Sequence, residues 1–418
     1  MKQAHPLLLL LLIPWLPAMA MAGPQHDEPN VNSRYAVENV SFTGVSESRL
    51  SATLRAAIQD MVGQKYDPST ADDLASRIRS ELRGYLVTYK IKRGEKPEHV
   101  RVIYDARRRG NPPFDVHLPP LVYHSYDGFS GALAAGVESH GSYFSVGVVS
   151  NADELLERFE GVRFRYEHRR VGTDRVQIGI GYDLYHPSFQ PEIADALVAA
   201  PRVPGTYRTR RVFAPSVSVF PVAQVKLTFG GSFQNLRSPE LTTELQRAYA
   251  WTFDAQLRDV VRSGDRFRHR FSVDYGLRAA TTSLDSDFVY TRHEVVAEYS
   301  LSSGRHGLGA AVQVGRLGGT APLFERFSLG NSSTLRGWDR FDIAPLGGDR
   351  LAYGSLEYRY RPFRVFYDFG TVWDEGQPAV VRHAVGLGVS WRSGFFLSVG
   401  FPVRLNRVRP AVMFGFKG

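Results

Sequence analysis

Arg336, Glu357 and Asp368 are the residues whose types and spacing suit a defined piece of chemistry. Arg336 stands in a Gly-rich stretch, between Leu335 and the pair Gly337 and Trp338. Two strand-like runs follow, and each places one carboxylate, Glu357 or Asp368, on the face opposite its apolar residues. A guanidinium is planar and always charged, so its donors can fork onto two carboxylates at once. Such a cluster adds little net stability, because desolvating three charges opposes their attraction. Removing one partner, however, leaves an uncompensated charge. The chemistry is therefore that of an anchor. No Gly-x-Ser-x-Gly elbow, His-Glu-x-x-His helix or P-loop occurs, and the 12 histidines are scattered. No catalytic residue, cofactor or metal is expected. Gly386 and Gly388 read as strand residues facing open interior space.

An anchor needs walls to hold it, and from Leu121 onward the sequence alternates with a period of two. Leu133/Ala135/Val137, Phe144/Val146/Val148, Val176/Ile178/Ile180/Tyr182, Phe267/Phe271/Val273/Tyr275 and Val385/Leu387/Val389/Trp391 are examples of the apolar faces, with Gly, Ser, Asp, Arg and Gln between them. Runs of about ten such residues match a tilted membrane strand. About sixteen runs can be counted, and an even number lets a meander close without an exposed edge. The fold class expected is mostly β: a 16-stranded antiparallel transmembrane β-barrel over residues 121–418. Connection lengths alternate as such a barrel requires. Short turns fall near Gly141, Val171 to Thr173, Pro221, Ser302 to Gly304, Arg361 to Pro362 and Arg392 to Gly394. Long loops fall at His186 to Tyr207, Asn235 to Glu244, Ala279 to Asp287 and the arginine loop 317–348. The arginine loop thus starts on the outer side.

Composition narrows the class further. The 418 residues include no cysteine, are 43% hydrophobic and carry a formal net charge of +9. Mean hydropathy is -0.23, and no internal run approaches the roughly 20 apolar residues of a spanning helix. A barrel alternates lipid-facing and lumen-facing residues and so averages to this value. The basic residues form no compact binding motif, which argues against nucleic acid and for a solvated lumen or anionic headgroups.

Ahead of the alternating region, residues 1–22 have the pattern of a signal peptide: Lys2, an apolar core from Leu7 to Leu16, and small residues at Ala18, Ala20 and Ala22. Residues 23–33 are polar and read as a flexible lead-in. Residues 34–106 read as a small unit in the order strand, helix, helix, strand, strand, from periodicity and caps. Its sheet edge, with Val87, Tyr89 and Ile91, can accept an extended peptide by strand addition. Residues 107–120, with Arg107 to Arg109, Gly110 and repeated prolines, read as a linker.

The motifs Leu335 to Trp338, the preceding PLFERFSLGN, the pair Gly347 and Gly348, and YDFGTVW ending at Trp373 resemble the C-terminal barrel of the BamA/TamA superfamily of outer-membrane assembly and translocation proteins, the bacterial surface antigen type. The unit at 34–106, with VSFTG at its first turn and GQKYD between its helices, resembles a single POTRA (polypeptide-transport-associated) domain. The resemblance implies that the loop folds back into the barrel and that Arg336 contacts Glu357 and Asp368. Trp338 stands where the family usually has Tyr or Phe. It also implies a place in the bacterial outer membrane with the POTRA domain in the periplasm. The expected function is protein translocation across that membrane, or insertion and assembly into it. The expected partners are lipids, an unfolded polypeptide substrate received at Val87, Tyr89 and Ile91, and periplasmic proteins bound through the POTRA domain. The final run carries Val412, Phe414 and Phe416 on one face, an aromatic ending of the kind read during barrel insertion. The alternatives are a passive pore or lipid-handling channel and a structural surface protein without transport.

Overall fold

The computed structural model describes residues 35–416 apart from 83–84, 109–113, 118–120, 151–154, 174, 201–202, 238–244, 264–266, 392–393 and 405–407. The signal peptide and lead-in lie outside the described residues. The chain divides into two compact units, residues 1–108 and 109–418.

The first unit contains β1 (Ala36–Thr43), α1 (Ala52–Asp60), α2 (Pro68–Glu81), β2 (Tyr85–Arg93) and β3 (His99–Arg108). The order is that expected, and the sheet runs β1-β3-β2 with β1 parallel and β2 antiparallel to β3. Each helix begins at a residue that satisfies its otherwise orphaned N–H groups. The Ser51 hydroxyl accepts from Leu54 N at 3.1 Å. The Asp67 carboxylate accepts from Ser69 N at 3.1 Å and Thr70 N at 3.2 Å, ahead of Pro68 in the first turn. Leu54, Ile58, Leu74 and Ile78 recur at helical spacing and are buried with Val87, Val102 and Tyr104 of the sheet. The unit is POTRA-like. Its last strand reaches Arg108, two residues past the expected boundary.

The second unit is a closed antiparallel barrel. It begins with β4 (Phe114–His117), β5 (Leu121–His124), β6 (Gly128–Ser139), β7 (Ser142–Ser150), β8 (Arg158–His168) and β9 (Val176–Ser188). After α3 (Pro191–Ala199) come β10 (Thr209–Val219), β11 (Val225–Arg237), β12 (Leu245–Ser263), β13 (Phe267–Ala280), β14 (Val289–Ser303) and β15 (His306–Thr320). The short α4 (Arg340–Ile343) precedes β16 (Arg350–Tyr360), β17 (Phe363–Trp373), β18 (Arg382–Ser390), β19 (Phe395–Pro402) and β20 (Ala411–Phe416). β4 and β5 both pair with β6, at residues 134–137 and 128–130, and share one position in the wall. With β6 to β20 this gives sixteen positions. The stretch expected to be a linker therefore contributes a wall segment at 114–117.

The alternation has the physical consequence its period implies. Phe229, Trp251, Leu356, Phe363, Val365 and Leu387 stand exposed on the outside, as strands facing lipid require. On β17 the intervening Arg364, Phe366 and Asp368 are buried inside. Among the described residues no helix is long and apolar enough to cross a membrane. β20 closes the ring on β5 through four paired residues, Met413↔His124 to Phe416↔Leu121. The corresponding ladder between β12 and β13 runs unbroken from Ala250↔Ala280 to Ser263↔Phe267.

Candidate functional site

β15 extends to Thr320, so the arginine loop starts at residue 321 rather than 317. The loop turns into the barrel because its apolar residues have nowhere else to go. Leu323, Phe324, Phe327, Leu329 and Leu335 are buried, most of them against Leu317, Tyr290, Leu351 and Val372 of the wall. Its tip is shaped by Asn331, whose Oδ1 accepts from Ser333 N at 2.8 Å, Thr334 N at 2.6 Å and the Thr334 hydroxyl at 2.9 Å. Leu335 and Gly337 follow in left-handed backbone, φ +47° and +118°. At Gly337 a side chain is also excluded sterically: a Cβ would come 2.9 Å from the Gly400 carbonyl carbon on β19. Loop and wall meet here backbone to backbone, with Arg336 aimed into the interior between the two left-handed residues.

Arg336 then commits four of its five side-chain N–H donors and its backbone N–H. Its Nε and backbone N each donate to Asp368 Oδ2 at 2.9 Å, and Nη2 donates to Asp368 Oδ1 at 2.9 Å. Nη1 donates to Glu357 Oε2 at 3.1 Å, and Nη2 also reaches the Ser355 hydroxyl at 3.1 Å. Ser355 in turn donates to Asp368 Oδ1 at 2.7 Å. The guanidinium carbon lies 3.7 Å from the centroid of the Phe366 ring, a cation–π contact in a desolvated setting. Asp368 is 0% exposed and Arg336 8%. The three residues singled out by sequence thus stand together, with Glu357 also paired to Arg359 at 3.0 Å.

Several contacts were not legible beforehand. Ser355 and Phe366 share inward parity with the carboxylates, which is the only signal they give. Gly386 does not face open space, because a Cβ there would collide with the Phe366 ring, and at Gly388 a Cβ would meet Ser398 and Arg364. The glycines are vacancies that the neighbouring strand's side chains fill. Trp338 uses its indole where Tyr or Phe is usual: Nε1 donates to the His383 carbonyl at 2.8 Å. Two further ion pairs hold the loop's arms. Glu325, 1% exposed, accepts from Arg278 Nη1 at 2.8 Å and from the Tyr290 hydroxyl at 3.2 Å. Arg340 meets Asp127 at 2.7 Å, and Asp127 lies 3.0 Å from His124 on the closing strand β5.

The remaining predicted residues are elsewhere. β2 is an edge strand, but the Val87 side chain is buried in the unit's core, and Tyr89 and Ile91 pack against that core. The opposite face of β2 carries Leu86, Thr88 and Lys90 in the open. Arg79 of α2 donates to the Val87 carbonyl at 3.2 Å. Val412, Phe414 and Phe416 alternate with the buried Ala411 and Met413 on β20. Phe414 stacks on Tyr123 across the closure at 4.8 Å.

A closed sixteen-stranded barrel with an apolar exterior and a loop anchored in its lumen is a transmembrane barrel of the outer-membrane type. Residues 211–407 match the Omp85 superfamily domain. That match takes in just under half of the chain, and with the barrel fold it supports a BamA/TamA-type barrel of the bacterial outer membrane. The chain is 31% identical over 150 residues to the outer membrane protein assembly factor BamA of Nitratidesulfovibrio vulgaris, a match covering 29% of this chain and 19% of that protein. The chain therefore spans about a fifth of the length of that curated relative. Its fold resembles BamA from Haemophilus ducreyi lacking POTRA domains 1-3, at 16% identity and TM-score 0.54, covering 92% of this chain and 84% of that one. It also resembles CdiB from Acinetobacter baumannii, at 13% identity and TM-score 0.51, covering 92% and 74%.

Proposed function

We propose that this protein handles polypeptides at the outer membrane, inserting them into it or moving them across it, without covalent chemistry of its own. The observation that carries this is the Arg336 anchor, a buried charge cluster whose net stabilisation is small. Its worth lies in fixing the loop in one position inside the lumen. The Omp85 match over residues 211–407 and the assembly role in the name of the N. vulgaris relative support the same reading. In this reading the short-turn end faces the periplasm, as in other barrels of the class, and so does the POTRA-like unit. The β2 edge then receives an extended segment by strand addition. The closure between β20 and β5 is held by four paired residues, against seven where β4 and β5 together pair with β6, and is the place where the wall would part. Val412, Phe414 and Phe416 serve the barrel's own insertion.

The test is in-cell photocrosslinking from the edge strand. The probe belongs at Leu86 or Lys90, whose side chains are exposed, rather than at Ile91. Adducts containing exported polypeptides are expected. A folded, abundant barrel that yields no polypeptide adduct from either position would overturn the reading in favour of a passive pore.

A further inference from the structure

At the short-turn end of the barrel the lumen opens into a recess of about 800 Å³. The charged side chains around it are of one sign: Arg268, Arg270, Arg305, Arg359 and Arg361, with no carboxylate in the lining. Strand parity puts Arg268 and Arg270 on the lumen face, since both are an even number of steps from Arg278, which reaches Glu325 inside the barrel. Arg359 shares the inner face with Glu357. Arg305 and Arg361 sit in adjacent turns, where Arg361 N donates to the Arg305 carbonyl at 3.1 Å.

Deeper in the lumen several arginines stand against carboxylates: Arg210 with Glu157 at 2.8 Å, Arg292 with Glu294 at 2.9 Å, Arg336 with Asp368 at 2.9 Å. At the mouth the pattern stops. Among the described residues no carboxylate lies within ion-pair range of Arg268, Arg270, Arg305 or Arg361, while Arg359 is committed to Glu357. Like charges gathered in a recess repel one another and raise the local concentration of anions. Guanidinium forks are suited to carboxylates.

We propose that this mouth is a docking site for acidic segments of extended polypeptide. The inference rests on the polypeptide-handling reading and adds a substrate preference to it. Strand parity places Arg268, Arg270 and Arg359 on the inner side of the wall, which disfavours lipid headgroups as the occupant there. A recess of this volume takes a few residues of extended chain and no folded domain.

The test uses the full chain folded in detergent and two fluorescent peptides of alternating Glu/Ser and Gln/Ser. The Glu peptide is expected to bind about tenfold more tightly, as a few exposed ion pairs would give, with the difference shrinking as salt screens it. The triple variant R268Q/R270Q/R361Q touches no paired arginine and should lose that preference while keeping its heat-modifiable gel migration. Equal binding of the two peptides, or a preference that survives in the folded triple variant, overturns the proposal. So does binding of inorganic polyphosphate without binding of the Glu peptide, which would assign the mouth to a different polyanion. If the peptide assay fails while Leu86 adducts persist, only the docking site falls. If the Leu86 adducts are missing while Glu-peptide preference holds, it is the polypeptide-handling reading that falls.

Discussion

Replacing Arg336 by alanine should release the loop from the lumen. The change leaves Asp368, 0% exposed, with two donors, the backbone N of residue 336 and the Ser355 hydroxyl, in place of four. Glu357 keeps Arg359. Removing one partner of a buried pair costs about 3–5 kcal/mol, and the surviving donors put this case near the lower end, about 3 kcal/mol. At about 1.4 kcal/mol per factor of ten, the undocked population should rise roughly a hundredfold. Protease cutting of a segment that opens quickly reports this population directly. The rate of cleavage within residues 321–349, measured on the detergent-folded protein, should therefore climb by about that factor while the barrel stays intact. Asp368→Asn in the same chain removes the orphaned charge, so the double variant should be cut more slowly than the two single effects predict. Arg336→Lys keeps the charge but loses the fork and should fall between. Normal heat-resistant folding of Arg336→Ala with the loop still protected would refute the anchor.

Two other perturbations probe separate parts of the chain. Glu325→Gln keeps the shape of the loop's first arm but removes the charge facing Arg278, whereas Arg292 retains Glu294. A cost of about 3 kcal/mol is expected, seen as faster hydrogen exchange at 321–329 with no change in the first unit. Asp67→Ala should cost about 1 kcal/mol through loss of a helix cap, read as lower protection across α2. The Asp67 carboxyl is held down to about 2, against an ordinary 3.8, first by the Ser69 hydroxyl and then by that of Thr70. A depressed carboxylate stabilises above its unfolded value and loses that contribution on acidification. The protection it gives should thus be complete above about pH 4 and fade as the pH falls towards 2, and Asp67→Ala should lack that dependence.

What the sequence alone determined is whatever depends on local order. Side chains in a strand alternate strictly, so the count of about sixteen runs, the outer and inner faces, and the shared inward parity of Glu357 and Asp368 all follow from spacing. Turn and loop lengths follow from the same reading, as do the two helices of the first unit, from the helical spacing of Leu54 and Ile58 and of Leu74 and Ile78; their caps, Ser51 and Asp67, came only with the structure. The linker expectation failed at Phe114–His117 because four residues carry too little periodicity to announce a strand; β6 supplies the ladder that makes them one. The tertiary structure decided everything that depends on which inward residue meets which. Register between neighbouring strands put the Phe366 ring into the space above Gly386 and beneath the Arg336 guanidinium. The route of the loop across the lumen brought Gly337 against Gly400, Glu325 to Arg278 and Arg340 to Asp127. Closure of the ring gathered Arg268, Arg270, Arg305 and Arg361 at one mouth. Alternation says only that a side chain faces inward, and a lumen offers every inward residue many partners until closure fixes the distances.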